Sequence, residues 1–384
     1  MLARRLQGIP PTIFSEMSAL AVRTGSVNLG QGFPDVDGPP AVIARAVEAL
    51  EGGQNQYAPG IGAPPLREAI ARHQARHYGL DLDPDRQVCV TTGCTEVVAA
   101  ALLGLVDEGD EVVVLEPYYD SYVAMIQMAG GVRRPVTLHS PDFRLDVDEL
   151  RAAVGPRTRF VLLNTPHNPT GTVLDRDELQ AVADLAIEHD LLVITDEVYE
   201  HLVFDAHDHV PLATLPGMFE RTLTLSSAGK SYSFTGWKVG WATGPAELVE
   251  AVLAAKQWLT FTSGAPLQPA IAHALDDEPD FPLELATDLQ KRRDLLCSGL
   301  AEVGLDVRVP EGTYFALTDV GDLGWQDGLS FCLALPERAG VVAIPTQGFH
   351  DTDAGRHLVR WAFCKGASVI EDGLRRLADA ELRA

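Results

Sequence analysis

The hydrophobic positions of the chain follow two alternating periodicities. From about residue 41 apolar side chains recur at helical spacing, which predicts a helix there. Short apolar runs then predict strands at 88–91, 111–115, 160–163, 191–195 and 222–225, with helices at 95–105 and 177–188 between them. Strands alternating with helices indicate an α/β fold with a parallel sheet that is covered on both faces.

The pattern changes after about residue 246. Long helical stretches at 246–257 and 282–303 are joined by short strands at 307–309, 314–317, 341–344 and 358–363, which predicts a second, α+β unit. The first forty residues are irregular and rich in Gly and Pro, and we expect them to pack with that unit because they have no core of their own. A chain of 384 residues usually forms more than one core. We therefore predict a large domain of residues 41–275 and a small domain of residues 1–40 and 276–384.

Composition and charge narrow the class of protein. The chain is 46% hydrophobic with a formal net charge of −24, which indicates a globular protein and disfavours nucleic acid and anionic membranes as partners. Five cysteines without a CxxC pair predict neither a disulfide framework nor a zinc site, so no metal is expected. No apolar segment follows Arg4 and Arg5, and the longest apolar run, 97–106, is too short for a bilayer. We expect a cytoplasmic protein.

Candidate chemistry lies just beyond the predicted strands, where ligands bind in open α/β sheets. Gly93-Cys-Thr leads into a helix whose first N–H groups can bind an anion, although an ordinary cap by Thr95 is equally consistent. Glu116-Pro-Tyr-Tyr-Asp follows the next strand, where an aromatic ring can stack on a flat ligand or simply pack in the core.

Two further strand ends carry polar groups. The loop 164–171 contains two prolines and a glycine, and it holds the Asn168 amide where it can bind a ligand; turn chemistry is the alternative. Asp196 ends an apolar strand, where burial without a cation is costly, and Tyr199 follows three residues later. A protonated pyridine nitrogen is a suitable partner for Asp196, and a helix cap is its other interpretation.

The segment 222–230 ends in Lys230. An amine just past a buried strand loses its proton more easily and attacks carbonyl groups, whereas a lone lysine is more often a surface charge. The hydroxyls before it, Ser227 included, and Lys238 after it suit a phosphate. A P-loop is excluded because Thr224 stands where that motif needs glycine. Together the strand ends supply an amine, an anion cradle, a stacking ring and a carboxylate, the set that pyridoxal phosphate needs.

With these motifs the chain resembles the class I aminotransferases of pyridoxal-phosphate fold type I nearly end to end. The resemblance is carried by the segments Asn28-Leu-Gly-Gln-Gly-Phe-Pro-Asp, Asn55-Gln-Tyr, Glu116-Pro-Tyr-Tyr-Asp, His167-Asn-Pro-Thr-Gly, Thr195-Asp-Glu-Val-Tyr-Glu, Ser226-Ser-Ala-Gly-Lys, Thr235-Gly-Trp-Lys and Leu358-Val-Arg. The subgroup looks like the kynurenine and methionine aminotransferases, with the strongest likeness to actinobacterial N-succinyldiaminopimelate aminotransferases. This resemblance implies a large domain with a mainly parallel seven-stranded sheet between helices, and a smaller α+β domain.

The resemblance also implies roles for individual residues. Lys230 forms the imine with the cofactor aldehyde and later moves the Cα proton, and Asp196 pairs with the pyridine nitrogen. Tyr199 and Asn168 bind the ring oxygen of the cofactor, and Tyr119 stacks on the ring. The phosphate is held by Ser227, Lys238 and the amides of Cys94 and Thr95. Tyr57 reaches the phosphate from a second subunit, which implies a homodimer with shared active sites. Arg360 clamps the substrate carboxylate beside Gly32.

The implied activity is transfer of an amino group from an L-amino acid to a 2-oxo acid such as 2-oxoglutarate. N-succinyl-LL-2,6-diaminopimelate, an intermediate of lysine biosynthesis, is the donor that the resemblance favours. Kynurenine, methionine and glutamine remain open as donors, as does β-elimination from cysteine conjugates. No arginine occurs between Arg221 and Arg292, so strict aspartate specificity is not expected.

Overall fold

The computed structural model describes residues 2–9 and 11–384 of the chain. The helices are α1 (Ile13–Thr24), α2 (Pro40–Glu51), α3 (Pro64–Tyr78), α4 (Gly93–Leu105), α5 (Asp120–Ala129), α6 (Val147–Ala153), α7 (Arg176–Glu188), α8 (Ala228–Ser231), α9 (Ala246–Leu259), α10 (Gln268–Asp277), α11 (Phe281–Glu302), α12 (Gly328–Ala339) and α13 (Ala367–Ala378). The strands are β1 (Val27–Asn28), β2 (Val88–Thr92), β3 (Glu111–Glu116), β4 (Val132–Thr137), β5 (Thr158–Asn164), β6 (Leu192–Asp196), β7 (Thr222–Ser227), β8 (Val239–Thr243), β9 (Asp306–Arg308), β10 (Phe315–Asp319), β11 (Val341–Val342), β12 (Ile344–Pro345) and β13 (Leu358–Ala362).

A seven-stranded sheet with the order β2-β8-β7-β6-β5-β3-β4 forms the centre of the larger unit. The strands from β7 to β4 pair in parallel, whereas β8 runs antiparallel to both of its neighbours. The mainly parallel seven-stranded sheet is thereby confirmed. No helix among residues 2–9 and 11–384 combines the length and the apolar character needed to cross a membrane.

Helices cover the central sheet on both faces. Alternate residues of one strand enter different cores: Val113 packs in the cluster with α6 and α7, and Val112 packs in the cluster with α4, α5 and α9. Both faces of β3 are therefore buried. This double burial explains why the strands show nearly continuous apolar runs rather than strict alternation.

Some elements were not predicted from the sequence, among them α1, β4 and β8. The chain between residues 13 and 24, predicted to be irregular, forms α1, which buries Met17, Leu20 and Ala21 at helical spacing. Strands β4 and β8 were not predicted. β4 is half-exposed at the sheet edge and contains arginines and a proline, and β8 contains a glycine, so neither shows a clear apolar run.

The smaller unit contains the antiparallel sheet β12-β13-β10-β9 and the parallel pair β1-β11. Met17 and Leu20 of α1 pack in the same core cluster as Trp361 and Phe331. This packing is the one expected for the first forty residues. The domain boundaries at residues 40/41 and 275/276 stay a prediction.

The topology brings several chain segments to one edge of the central sheet. The parallel strands β3, β5, β6 and β7 all end there, and β2 ends there too because it is antiparallel to β8. Since β8 runs in the opposite direction, its first residues lie at that same edge. Lys238, directly before β8, thus joins residues that follow the other strands.

Candidate active site

A cavity of about 300 Å³ opens at this edge of the sheet. The predicted site residues that line it are Gly32, Cys94, Thr95, Tyr119, Asn168, Asp196, Tyr199, Ser227, Lys230, Lys238 and Arg360. Tyr57 is the predicted site residue that the structure places elsewhere. Its side chain is 83% exposed and packs edge-to-face on Phe261 with ring centroids 5.4 Å apart.

Lys230 follows β7 and lies in the short helix α8. Its Nζ donates to Tyr314 Oη at 2.6 Å, and Tyr314 Oη donates to the Gly32 carbonyl at 2.6 Å. Burial lowers the pKa of Lys230 to about 8, and the positive charge of Arg360 acts in the same direction. A substantial neutral fraction is therefore present near pH 8, which is the form that attacks a carbonyl carbon.

Asp196 is the last residue of β6 and is buried. Tyr122 Oη donates to its Oδ2 at 2.7 Å, and the Val198 N–H donates to Oδ1 at 3.3 Å. Burial nevertheless raises the pKa of Asp196 above its ordinary value, since these two bonds only partly replace water. A cation placed opposite this carboxylate would restore its preference for the charged form.

Asn164 holds the two neighbouring loops together. Its Nδ2 donates to the Asp196 carbonyl at 2.8 Å, and its Oδ1 accepts the Asn168 N–H at 2.7 Å. The side chain of Asn168 is thereby held at the cavity. Its Oδ1 accepts from Arg360 at 3.0 Å, which leaves its Nδ2 available to donate to a ligand.

One end of the cavity is built to hold an anion. The first N–H groups of α4 have no intrahelical acceptors and meet the positive end of the helix dipole. Gly93 has φ +75°, and a Cβ on it would lie 3.1 Å from Nζ of Lys238. A Cβ on Gly240 would lie 2.7 Å from the Cys94 nitrogen. The backbone and the lysine amine can approach this closely only because both residues are glycine.

Two tyrosines border the cavity from α5. Tyr119 occupies the N-cap position of α5, and its ring packs edge-to-face on the ring of Tyr122 with centroids 5.6 Å apart. Burial raises the pKa of Tyr119 to about 12, so its hydroxyl stays neutral. Tyr119 thus presents an uncharged aromatic surface to the cavity.

Arg360 lies in the middle of β13 and is buried among aromatic rings. Its guanidinium carbon is 3.9 Å from the centroid of Phe315 and 4.8 Å from that of Phe14. Its two hydrogen bonds go to neutral oxygens, those of Asn168 and of the Gly30 carbonyl, and its Nε has no partner among the described residues. Burial lowers the pKa of Arg360 to about 10. A guanidinium that has unused N–H donors and no anionic partner binds a carboxylate best, because it can donate charge-assisted hydrogen bonds to both oxygens.

Sequence reasoning missed three residues of the site. Asn164 ends β5 and lies inside a motif already singled out, so the strand-end rule is a sufficient signal for it. Tyr122 lies three residues after Tyr119 on one helix face, which is a weaker signal. Tyr314 is 84 residues from Lys230 in the chain, and nothing local connects the two.

The residues present fit pyridoxal phosphate. The anion cradle suits its phosphate, the buried Asp196 suits a protonated ring nitrogen, and the Lys230 amine suits its aldehyde. The Nε–H of Arg360 has no acceptor among the described residues, so it is available to donate to a substrate carboxylate in the same cavity.

Comparisons with known proteins agree with this chemistry. Residues 24–367 match the family model described as aminotransferase class I and II. The chain is 53% identical to a probable N-succinyldiaminopimelate aminotransferase, DapC, of Mycobacterium tuberculosis, over 98% of each chain. It is 40% identical to the methionine aminotransferase of Escherichia coli over 97% of each, and 38% identical to kynurenine–oxoglutarate transaminase 3 of Mus musculus, over 96% of this chain and 88% of the mouse protein.

Solved structures show the same likeness. The N-succinyldiaminopimelate aminotransferase of M. tuberculosis superposes with a TM-score of 0.97, covering 99% of this chain and 100% of that one at 53% identity. The E. coli methionine aminotransferase superposes with a TM-score of 0.95, covering 99% of each chain at 40% identity.

Proposed function

The chain belongs to the class I and II aminotransferase family, and from that premise we propose that pyridoxal 5'-phosphate is its cofactor, bound in the cavity around Lys230. The enzyme is an aminotransferase, as its family and its relatives show. The observation that carries the proposal is the placement of the Lys230 amine, with its pKa of about 8, in one cavity with Asp196 and Arg360.

The proposed mechanism assigns the proton transfers to residues of this chain. When bound, the cofactor supplies an aldehyde that condenses with amines and a ring that accepts electrons from the substrate Cα. Lys230 Nζ would hold the cofactor through its aldehyde and, when the substrate amine takes that place, would accept the proton of the substrate Cα and deliver it to the former aldehyde carbon. Tyr314, 2.6 Å from Nζ, orients the amine for this transfer.

Other residues orient the cofactor. The Asp196 carboxylate, fixed by Tyr122, would hold the proton on the ring nitrogen and so maintain the electron-accepting form. Tyr199 Oη and Asn168 Nδ2 would donate to the ring oxygen, and Tyr119 would cover one face of the ring. Ser227, Lys238 and the amides of Cys94 and Thr95 at the start of α4 would hold the phosphate.

Arg360 binds the α-carboxylate of both the amino donor and the oxo-acid acceptor. Its guanidinium is held in a dry aromatic pocket, where a charge-assisted pair is stronger than in water. Gly32 lies on the same side, where a Cβ would meet the Phe315 ring at 2.4 Å. The close packing of this loop against Phe315 limits the space beside the substrate Cα.

We infer that N-succinyl-LL-2,6-diaminopimelate is the physiological donor and 2-oxoglutarate the acceptor. The support is the 53% identity to the mycobacterial relative along nearly the whole chain. A second candidate is an apolar or aromatic donor such as methionine or kynurenine. It is favoured by the Phe14 and Phe33 rings at the cavity and by the E. coli and mouse relatives.

A donor panel tests the substrate assignment. N-succinyl-LL-2,6-diaminopimelate, methionine, kynurenine, glutamine and a cysteine S-conjugate are each assayed for kcat/KM against 2-oxoglutarate and pyruvate. We expect the succinylated donor to exceed the others by at least about tenfold, or about 1.4 kcal/mol of transition-state binding. A higher value for methionine or kynurenine contradicts the donor assignment, and pyruvate formed from the conjugate indicates β-lyase activity instead.

We further propose a cytoplasmic homodimer with shared active sites. Tyr57 and Trp258 are 83% and 82% exposed, and Phe261 beside Tyr57 is also exposed, which favours burial of this patch against a second subunit. Tyr57 would then reach the phosphate site of the partner. The cysteines are free, which suits a reducing compartment.

A further inference from the structure

Three histidine rings meet outside the cavity around Lys230. His73 and His77 are one helical turn apart on α3, and His201 comes from the turn that follows β6. Their ring centroids are 4.5 to 5.0 Å apart, and their ligating nitrogens all lie within 4.8 Å of one another. The proposed aminotransferase chemistry uses none of the three.

We propose that His73, His77 and His201 bind a Zn²⁺ ion. Histidines at positions i and i+4 project from the same side of a helix, and the third imidazole faces that pair from another element. Three imidazoles suit Zn²⁺ and related transition metals, whereas Mg²⁺ and Ca²⁺ prefer oxygen ligands. The absence of a CxxC pair argued against a zinc site, but this one needs no thiolate. It is independent of the aminotransferase function.

His73 and His201 already lie close to the separation that a shared metal ion requires. His73 Nε2 and His201 Nε2 are 2.7 Å apart, so one of them donates its proton to the other. A tetrahedral zinc ion with bonds of about 2.0–2.1 Å separates its ligand nitrogens by about 3.4 Å. The rings therefore need to part by roughly 0.7 Å, and the ring that carries its proton on Nε2 must change to the Nδ1-protonated tautomer so that both Nε2 lone pairs face the metal.

A neighbouring amide can orient the first ligand. Nε2 of Gln74 lies 3.5 Å from His73 Nδ1, and Oε1 of Gln74 has no partner among the described residues. With the amide flipped, Gln74 Oε1 accepts a hydrogen bond from the Nδ1–H of His73. The lone pair of His73 Nε2 is then available for the metal.

The surroundings also suit a cation. The buried Glu200 carboxylate lies near His73 and His201 and is held by Tyr78 Oη at 2.6 Å and Ser226 Oγ at 2.5 Å, so its negative charge offsets that of the ion. His77 is exposed and leaves a path for the ion and a position for water.

Calorimetry on the full-length holoenzyme tests the site. After treatment with a chelator, we expect one Zn²⁺ to bind per subunit and Mg²⁺ to give no signal, and Co²⁺ to give the visible absorption of a tetrahedral complex. His77→Ala, a substitution at an exposed position, is expected to weaken Zn²⁺ binding at least about tenfold. His139→Ala, an exposed histidine elsewhere, is the matched control and should leave affinity unchanged.

A second variant separates this site from a simple helix pair. His201→Asn removes the ligand outside α3, and we expect it to weaken binding as strongly as His77→Ala does; circular dichroism and turnover report whether it folds. Absence of stoichiometric binding overturns the proposal. So does unchanged affinity in His77→Ala, which would place the ion elsewhere, or unchanged affinity in a folded His201→Asn, which would leave only the helix pair.

Discussion

Single residues of the site owe their chemistry to burial. The amine of Lys230 and the guanidinium of Arg360 both lose protons more easily than they would in water, because burial removes their hydration and the acidic groups nearby offset this loss only in part. Asp196 is shifted in the opposite direction for the same reason. Burial disfavours the charged forms of these three groups in one cavity. A charged ligand that pairs with them is therefore bound strongly there.

The pKa of Lys230 predicts how cofactor attachment depends on pH. The neutral amine is the reactive form, so the rate at which the cofactor-free enzyme binds pyridoxal phosphate covalently should rise with pH and level off above about pH 8. Stopped-flow absorbance measures this rate. An ordinary lysine would keep accelerating toward its pKa of about 10.4, and that result would contradict the assignment.

Substitution of Lys230 gives a direct test of its role. Lys230→Ala should abolish both turnover and the absorbance change that accompanies covalent cofactor attachment, because the other amine of the cavity, that of Lys238, lies beside Gly93 at the end assigned to the phosphate. Lys291→Ala, at an exposed position on α11, is the matched control and should behave like the unmodified enzyme. Turnover retained in Lys230→Ala would refute the catalytic role.

Arg360 is predicted to act on the substrate and not on the cofactor. Arg360→Ala should raise the KM for the amino donor by roughly 100-fold, the loss of about 3 kcal/mol from two charge-assisted bonds. Steady-state kinetics and the cofactor absorbance are measured together. Arg360→Lys should recover only part of the loss, since an ammonium cannot bind both oxygens in parallel. Loss of cofactor from either variant argues against this role.

At the scale of elements, the site depends on the close approach of β8 to the start of α4. Gly240, in β8, lies against Gly93 and the Cys94 nitrogen, and this contact positions the amides that we assign to the phosphate. The contact exists because β8 is antiparallel to its neighbours and therefore begins at the edge where β2 and β7 end.

Gly240→Ala tests this packing. The added Cβ would lie 2.6 Å from the Gly93 carbonyl carbon, so α4 or β8 must move, and we expect weaker cofactor binding and a lower Tm. Dissociation of the cofactor and thermal unfolding are the measurements. Gly236→Ala is the matched control, because a Cβ there meets no atom within 4 Å. Equal effects in the two variants would show that the cradle does not depend on this contact.

At the scale of the whole molecule, the proposed dimer predicts complementation between two defective subunits. Lys230→Ala and Tyr57→Ala subunits are dissociated, mixed in equal amounts and reassociated. If Tyr57 serves the site of its partner, each mixed dimer contains one intact site, and activity should return to about a quarter of the unmodified level. No gain in activity on mixing would mean that Tyr57 does not act across subunits.

Much of the fold could be predicted from local pattern. Strands such as β3 and β6 are buried on both faces, so their apolar runs are unmistakable, and helices of adequate length show their periodicity. β4 and β8 lack such runs because one lies half-exposed at an edge and the other is shaped around Gly240. α1 was hidden by the Gly- and Pro-rich segments around it, although its Met17 and Leu20 follow a helical period.

The sequence by itself determined most of the predicted residues that line the cavity, because strand ends in a parallel sheet converge and each such end carries its polar group within a few residues. Only the tertiary structure decided what lies across the cavity. The contact of Lys230 with Tyr314 and that of Arg360 with Asn168 join elements far apart in the chain. The histidine cluster forms in the same way, since α3 and the turn after β6 meet only when the chain is packed. Local pattern reports burial and turn geometry, whereas pairing between distant elements depends on how whole faces fit together.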